Sequence, residues 1–450
     1  MSRNKQSPFS LRRRHALALM PLALAGASVF AQSADSSASV GLASQPSPYY
    51  IGANQGFTYD SNVYRIPFGT SDVYSSTGLL AGFDQPISRQ RVFGTASVSL
   101  NRYKNESTLN NTSYSLATGL DWATIWRLAG SVSTTLDQRL VAPAASVAAP
   151  VASRNLERRQ GVSGLARWGG DAAITVEGRL GYSTLDYSAP EYVASESKNE
   201  TGSLGVYYRP GSRTRLGVAA RFDRTRTPQA VRLADGSFQG NEVRGRSIDL
   251  LGEYNNGNSI TAGSRVSYTR QTNTSIGNAD FSGLTGSVNV GYRATGKISL
   301  NFSAARDAGF NSRTGTYSTV VVTPAPGTPS TTAVTTVTAP GASLYENNQV
   351  TTSVSLGGTY AATAKISLSA SGRYARARIV SSSAVTTASN QAQADVVDES
   401  RSASLSANYA YSRSLTFNCL LSRERREVSG AYGYGYTANL ANCAGQFTWR

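Results

Sequence analysis

Histidine occurs once in these 450 residues, and methionine and cysteine twice each. His15, Met1 and Met20 all fall within the first 31 residues, a segment read below as cleaved. The mature chain is then expected to hold no histidine. That excludes serine–histidine nucleophile pairs, imidazole acid–base schemes and histidine-ligated zinc. Beyond the N-terminus no run approaches the roughly 18 apolar residues a membrane helix needs. Leu, Ile and Phe are too sparse for the thick core of a water-soluble domain of this length. No glycine-rich phosphate loop follows a strand and opens a helix, so nucleotide binding is not expected. The acid pairs Glu424/Glu427 and Asp395/Asp398 sit in or beside loops and read as solvated charges. The sequence gives no reason to expect an enzyme, a cofactor or a metal.

Acidic side chains are also in deficit, 27 against 43 Lys and Arg, for a formal net charge of +16. Arg3, Lys5 and Arg12-Arg13-Arg14 form a basic n-region, and the apolar stretch Ala16–Phe30 follows it. Val29-Phe30-Ala31 fits signal-peptidase cleavage after Ala31. Five basic and no acidic residues leave with the signal, so +16 becomes +11. An exported chain does not meet nucleic acid, which removes that partner for the positive balance. Residues 32–48 are rich in Ser, Ala, Gln and Pro and read as a flexible periplasmic lead-in.

What remains, 49–450, is rich in Gly, Ser, Thr, Ala and Tyr and alternates with period two. Ile298, Leu300, Phe302 and Ala304 fall on one face against Lys297, Ser299, Asn301 and Ser303. Ile366, Leu368 and Ala370 repeat the pattern against Lys365, Ser367, Ser369 and Ser371. About 18 such segments are expected, each long enough to cross a bilayer as a tilted strand. Short connections are expected at Asp84-Gln85-Pro86, Gly169-Gly170-Asp171, Pro210-Gly211, Asn255-Asn256-Gly257, Thr295-Gly296, Ala362-Thr363 and Ser412-Arg413. Long ones are expected near 61–72, 104–110, 140–155, 188–196, 228–241, 273–279, 311–345, 380–396 and 428–434. Strict short–long alternation is the mark of an outer-membrane barrel, with short periplasmic turns and longer external loops. The expected fold is therefore all-β: a closed antiparallel transmembrane β-barrel in the outer membrane of a Gram-negative bacterium. Tyrosines near strand ends, among them Tyr182, Tyr187, Tyr207, Tyr208, Tyr254, Tyr268 and Tyr374, are expected in interfacial girdles. The Thr/Val/Pro/Ala core of 311–345 has no charge and is expected to stay outside the lumen.

Parity then assigns the pore. With Leu216, Val218, Ala220 and Phe222 facing lipid, Arg213, Arg215, Arg221 and Asp223 face inward. The same rule turns Glu177, Arg179, Arg265 and Arg373 inward, since Arg facing mid-membrane lipid costs about 2–4 kcal/mol. A basic lumen would favour anionic permeants; Arg–acid ladders that only stabilise the wall are the competing role. Arg224, Arg226 and Arg244 at the external rim are expected to meet lipopolysaccharide phosphates and outer-membrane lipid. Cys419 and Cys443 lie twelve residues either side of Ala431, the centre of loop 428–434, and share a face, so a disulfide is expected there.

Several stretches resemble a family of outer-membrane barrels of the porin type encoded in exopolysaccharide-biosynthesis operons. They are Ser71–Pro86, SDVYSSTGLLAGFDQP, the following ISRQRVFGTASVSLNRY, then LNNTSYSLATGLDW, and the terminal CAGQFTWR. They cover the first quarter of the barrel and its last strand. The resemblance implies a pore that supports export of an exopolysaccharide, with periplasmic polysaccharide-export components as further partners. Trp449 is penultimate and Arg450 last, a departure from the terminal aromatic read by the outer-membrane assembly machinery. A general or anion-selective diffusion porin, and a plugged structural or adhesive barrel, remain open at this point.

Overall fold

A computed structural model describes residues 48–449 except 142–153, 171, 233–236, 275–279, 317–318, 325–331, 338–341, 384–393 and 430–433. The expected signal 1–31 and nearly all of the lead-in 32–48 lie outside the described residues. Strands run β1 (Tyr49–Asp60), β2 (Asp72–Ile87), β3 (Gln90–Tyr103), β4 (Asn111–Ala123), β5 (Leu128–Val141), β6 (Asn155–Trp168) and β7 (Ile174–Tyr187). They continue as β8 (Ser197–Tyr208), β9 (Thr214–Arg232), β10 (Phe238–Asn255), β11 (Ile260–Asn273), β12 (Phe281–Arg293) and β13 (Ile298–Thr316). After the ribbon β14 (Thr319–Pro324) and β15 (Thr332–Val337) come β16 (Ala342–Ala361), β17 (Ile366–Ser383), β18 (Ala394–Ala410), β19 (Leu415–Val428) and β20 (Tyr436–Trp449). Every strand but the ribbon belongs to one 18-stranded antiparallel sheet. β1 pairs with both β2 and β20, from Ile51 opposite Trp449 to Asp60 opposite Leu440, so the sheet closes on itself.

Directly opposed residues share a face, so the registers carry one inside and one outside around the whole ring. The outside is apolar across its middle: Leu180, Leu204, Val218, Ile248, Leu250, Val266, Leu284, Leu356, Leu405 and Leu421 are all exposed. Leaving such side chains in water would forfeit about 1.5–3 kcal/mol each. Lipid is the solvent this belt fits. Tyr208, Tyr254, Tyr292, Tyr360, Tyr409 and Trp449 are exposed at the short-turn end of the belt, Tyr182 and Tyr268 at the other, where amphipathic rings meet both phases. Tyr207 and Tyr187 do not join the girdles. Neighbours on a strand point to opposite faces, so Tyr207 turns inward beside the outward Tyr208 and is buried.

The short connections owe their geometry to a repeated device. Thr295 Oγ1 accepts from the N–H groups of Lys297 and Ile298, and Thr363 Oγ1 from those of Lys365 and Ile366. Ser412 Oγ accepts from Ser414 and Leu415 in the same way. Asn256 Oδ1 accepts from three successive N–H groups, Asn258, Ser259 and Ile260, while Gly257 takes a φ of 77°. Two expectations need correction. Asp84-Gln85-Pro86 is strand, with Pro86 opposite Arg91; the turn comes later, at Ser88 with φ 57°. Arg91 binds Asp84 across this hairpin at 2.6–2.7 Å, which the expected turn would have prevented. Residues 311–345 are also not all loop: β13 and β16 extend into them, pairing as far as Thr316 opposite Ala342. Beyond them the β-branched runs of β14 and β15 pair with each other.

Candidate functional site in the barrel lumen

The inward face of β6–β10 is built around one carboxylate. Glu177 has a wholly buried side chain; its Oε2 meets Arg167 at 2.7 Å and Arg215 at 3.0 Å, and its Oε1 meets Arg179. Burying a lone carboxylate costs several kcal/mol, and three guanidinium partners offset that penalty. Arg215 comes from β9, two strands away, and must cross β8 to arrive. It does so over the ring of Tyr207, its guanidinium carbon 3.6 Å from the centroid. Tyr207 can lie flat there because the opposite residue is Gly217: a Cβ at 217 would fall 2.3 Å from the tyrosine Cδ1.

Further pairs climb the same wall. Arg221 binds Asp249 at 3.1 Å with Asp223 at 3.8 Å, and Arg265 binds Asp307 at 2.9 Å. Glu157 takes Arg139 at 2.9 Å and Arg159 at 3.4 Å. Of the expected pore residues, Arg179, Arg215, Arg221 and Arg265 therefore line the lumen, each held by a carboxylate. Arg373 also faces inward by register, opposite Ser355 and Ser402, and is exposed there. Arg213 does not belong to the wall: β9 starts at Thr214, so Arg213 lies exposed in the preceding turn. The basic lumen expected from these arginines is corrected accordingly. Parity found the arginines, but neighbouring carboxylates hold Arg179, Arg215, Arg221 and Arg265 in ion pairs.

The other side of the lumen carries few charges: on the inward faces of β16, β17 and β18 these are Arg373 and, nearer the loops, Asp398, bound by Arg426 at 2.6 Å. The rest of these faces is rich in hydroxyls, with Ser353, Ser355 and Thr359 on β16, Ser367, Ser369 and Ser371 on β17, and Ser402, Ser404 and Ser406 on β18. Hydroxyls bond across the strands, Thr359 to Ser369 at 3.0 Å and Ser371 to Ser404 at 2.7 Å.

Two connections enter the external mouth, and neither course is marked in the local sequence. The short 3₁₀ segment Pro190–Ser195 lies against β7, β9 and also β13, a third of the way round the ring. Tyr192 is buried, its ring 5.6 Å from that of the inward Tyr187 and tilted 39° to it. Asn155 Oδ1 accepts from Ala189 N–H, and Glu196 Oε1 accepts from Tyr187 N–H, pinning both ends of the turn. Between β1 and β2, Arg65 is buried against Asp60 and Glu424. Burial works against its charge, but these two carboxylates hold its pKa above the ordinary value. Nearby Val63, Tyr64 and Leu109 form a small apolar cluster. Burial, then the 2.7 Å hydrogen bond from Tyr64 to Glu106, push the Tyr64 hydroxyl pKa up.

Cys419 and Cys443 are joined by a disulfide, directly opposite in the β19–β20 register with Cα atoms 4.1 Å apart. They lie on the lipid face with Phe417 and Leu421, away from the lumen. Among the described residues no group of three or more His, Cys, Asp and Glu side chains is placed to hold a metal.

A closed antiparallel ring, an apolar belt between aromatic girdles and a polar lumen define an outer-membrane β-barrel of a Gram-negative bacterium. No family model matches the chain, and no curated protein does. Among solved structures, Pseudomonas aeruginosa OccK1 (OpdK) is similar over 89% of this chain and 99% of its own, at 10% identity and TM-score 0.44. The FrpB iron transporter of Neisseria meningitidis is similar over 89% and 81%, at 8% identity and TM-score 0.41. A bacterial polysaccharide outer-membrane secretin is similar over 89% and 98%, at 8% identity and TM-score 0.32.

Proposed function

We propose that the protein is a pore supporting passage of an exopolysaccharide across the outer membrane. The hydroxyl wall of β16–β18 is the observation that carries this reading. A sugar chain is a row of hydroxyls, and exchanging its bonds to water for bonds to serine and threonine changes free energy by only about 1 kcal/mol each. Such a wall lets a polymer slide without trapping it. The charge-balanced face opposite neither repels an anionic polymer nor holds one, so a neutral or weakly anionic chain suits it best. The resemblance of the Ser71–Pro86 region and the terminal strand to barrels of exopolysaccharide operons supports the same reading. Deleting the gene should lower secreted polysaccharide with no loss inside the cell, and the wild-type gene should restore it. Unchanged secretion would end the proposal. A diffusion porin for small solutes is the second reading, favoured by the inward turn Pro190–Ser195 that narrows the mouth. In planar bilayers a polymer pore should be blocked by long oligosaccharides added to one side, whereas a small-solute porin should ignore them.

A further inference from the structure

The chain's basic excess sits outside the barrel. On β8–β11 the outward basic side chains above Phe222, Ile248 and Tyr268 are Lys198, Arg224, Arg226, Arg244, Arg246 and Arg270, with Glu200 opposite Arg224 and Glu242 opposite Arg226 on the same face. No outward residue lower on these four strands is charged. The register sets like charges face to face: Lys198 opposite Arg226, Arg224 opposite Arg244, and Arg246 opposite Arg270. Directly opposed side chains of one sign repel and destabilise a strand pair. Two carboxylates answer them in part. Glu242 binds Arg224 at 2.6 Å and Arg226 at 3.4 Å and also takes Arg244; Glu200 reaches Arg226 at 3.5 Å and Arg224 at 3.8 Å. Arg246 and Arg270 have no carboxylate within ion-pair distance among the described residues, and the buried Nε of Arg224 has no hydrogen-bond acceptor there.

Six cations against two carboxylates, three opposed cation pairs and an unused buried donor call for an anion supplied from outside. The level of the patch says which. It begins where the apolar belt ends and is on the loop side, at the headgroups of the outer leaflet, and it faces lipid rather than lumen. We propose that this surface binds the phosphorylated glycolipid of the outer leaflet, lipopolysaccharide, with the opposed arginines clamping phosphates of its disaccharide headgroup. Guanidinium forks match phosphate oxygens in pairs, and each phosphate turns a repulsive cross-strand pair into a bridged one. β17–β19 carry a weaker version. Arg401 stands opposite Arg425, but Glu399 holds Arg376 and Arg401 at 3.5 and 3.3 Å and Glu427 holds Arg425 at 2.6 Å. Arg423 shares this outward face and has no carboxylate within ion-pair distance among the described residues, so the region is a lesser patch that serves as the weaker comparison.

The full-length protein in neutral detergent is mixed with bisphosphorylated lipid A, phosphate-free lipid A, phosphatidylglycerol or inorganic phosphate. Retention is read by native mass spectrometry and stabilisation by heat-induced unfolding. Bisphosphorylated lipid A should be retained and should raise the unfolding temperature. Arg224→Gln, Arg244→Gln, Arg246→Gln and Arg270→Gln combined should weaken it by about tenfold or more, and Arg401→Gln with Arg425→Gln should do less. Should the fourfold variant fail to close, Arg246→Gln with Arg270→Gln decides, since neither residue has a carboxylate to lose. Equal retention of phosphatidylglycerol or phosphate-free lipid, the same stabilisation by inorganic phosphate, or undiminished binding by the variants would overturn the assignment.

Discussion

Glu177 draws three guanidinium groups together from β6, β7 and β9. Its removal does more than lose a bond, because it leaves three cations crowded in a protein-lined space. Glu177→Gln is expected to cost about 3 kcal/mol, the usual penalty for breaking one side of a buried pair. It should also move the reversal potential of the pore toward anions. An unchanged reversal potential would show that this network does not face the conducting path. Which residues point inward was legible from alternation alone, and Arg179, Arg215, Arg221 and Arg265 were found that way. What neutralises them was not. Arg215 reaches Glu177 across β8, Arg265 reaches Asp307 across β12, and such contacts depend on register, which no single strand records. Arg213 was misplaced because a strand start uncertain by two residues decides whether an end residue lies in the wall or in the turn.

Among the elements, the last hairpin combines strand pairing with a covalent link. Reading twelve residues either side of the loop centre gave the cysteine pairing, because a symmetric hairpin fixes register by counting. The 24-residue separation between Cys419 and Cys443 gives an upper guide of about 3 kcal/mol for the staple. Replacing both cysteines by serine should lower the temperature at which the folded band is lost on gels, without changing conductance. A conductance change would place the bridge in the permeation path after all. The inward course of Pro190–Ser195 rests on Asn155 and β13, both remote in sequence, so local residues do not record it. Tyr192→Ala should loosen the turn and raise single-channel conductance severalfold. Conductance at the wild-type value would mean that the turn does not narrow the pore. Within 311–345 the Thr and Val residues are β-branched and pair when they meet, so strand continues where loop was expected.

The molecule as a whole is eighteen strands whose neighbours in space are neighbours in sequence, apart from the ribbon interruption and one seam. Alternating connection lengths made this topology readable, since each short turn fixes one antiparallel pair. The seam between β1 and β20 is different in kind. It joins Ile51 to Trp449 across nearly the whole chain, whereas every other barrel pairing is closed by a local connection. Loop-closure entropy grows with the logarithm of length, so the longest loop in the protein is closed here and nowhere else. The seam carries a fastening of its own at the external end: Ser61 N–H donates to the Asn439 carbonyl at 2.9 Å, and Asn62 Nδ2 to the Thr437 carbonyl at 3.1 Å. Order of assembly follows from this. The sheet can grow hairpin by hairpin as an open curved ribbon, its two free edges being β1 and the stapled β19–β20 unit, and it becomes a ring in one final step. That step should also be the first to reverse. Amides of β1 that bond to β20 should exchange with solvent deuterium before those of β5–β6 or β10–β11, and uniform exchange around the ring would refute a weak seam.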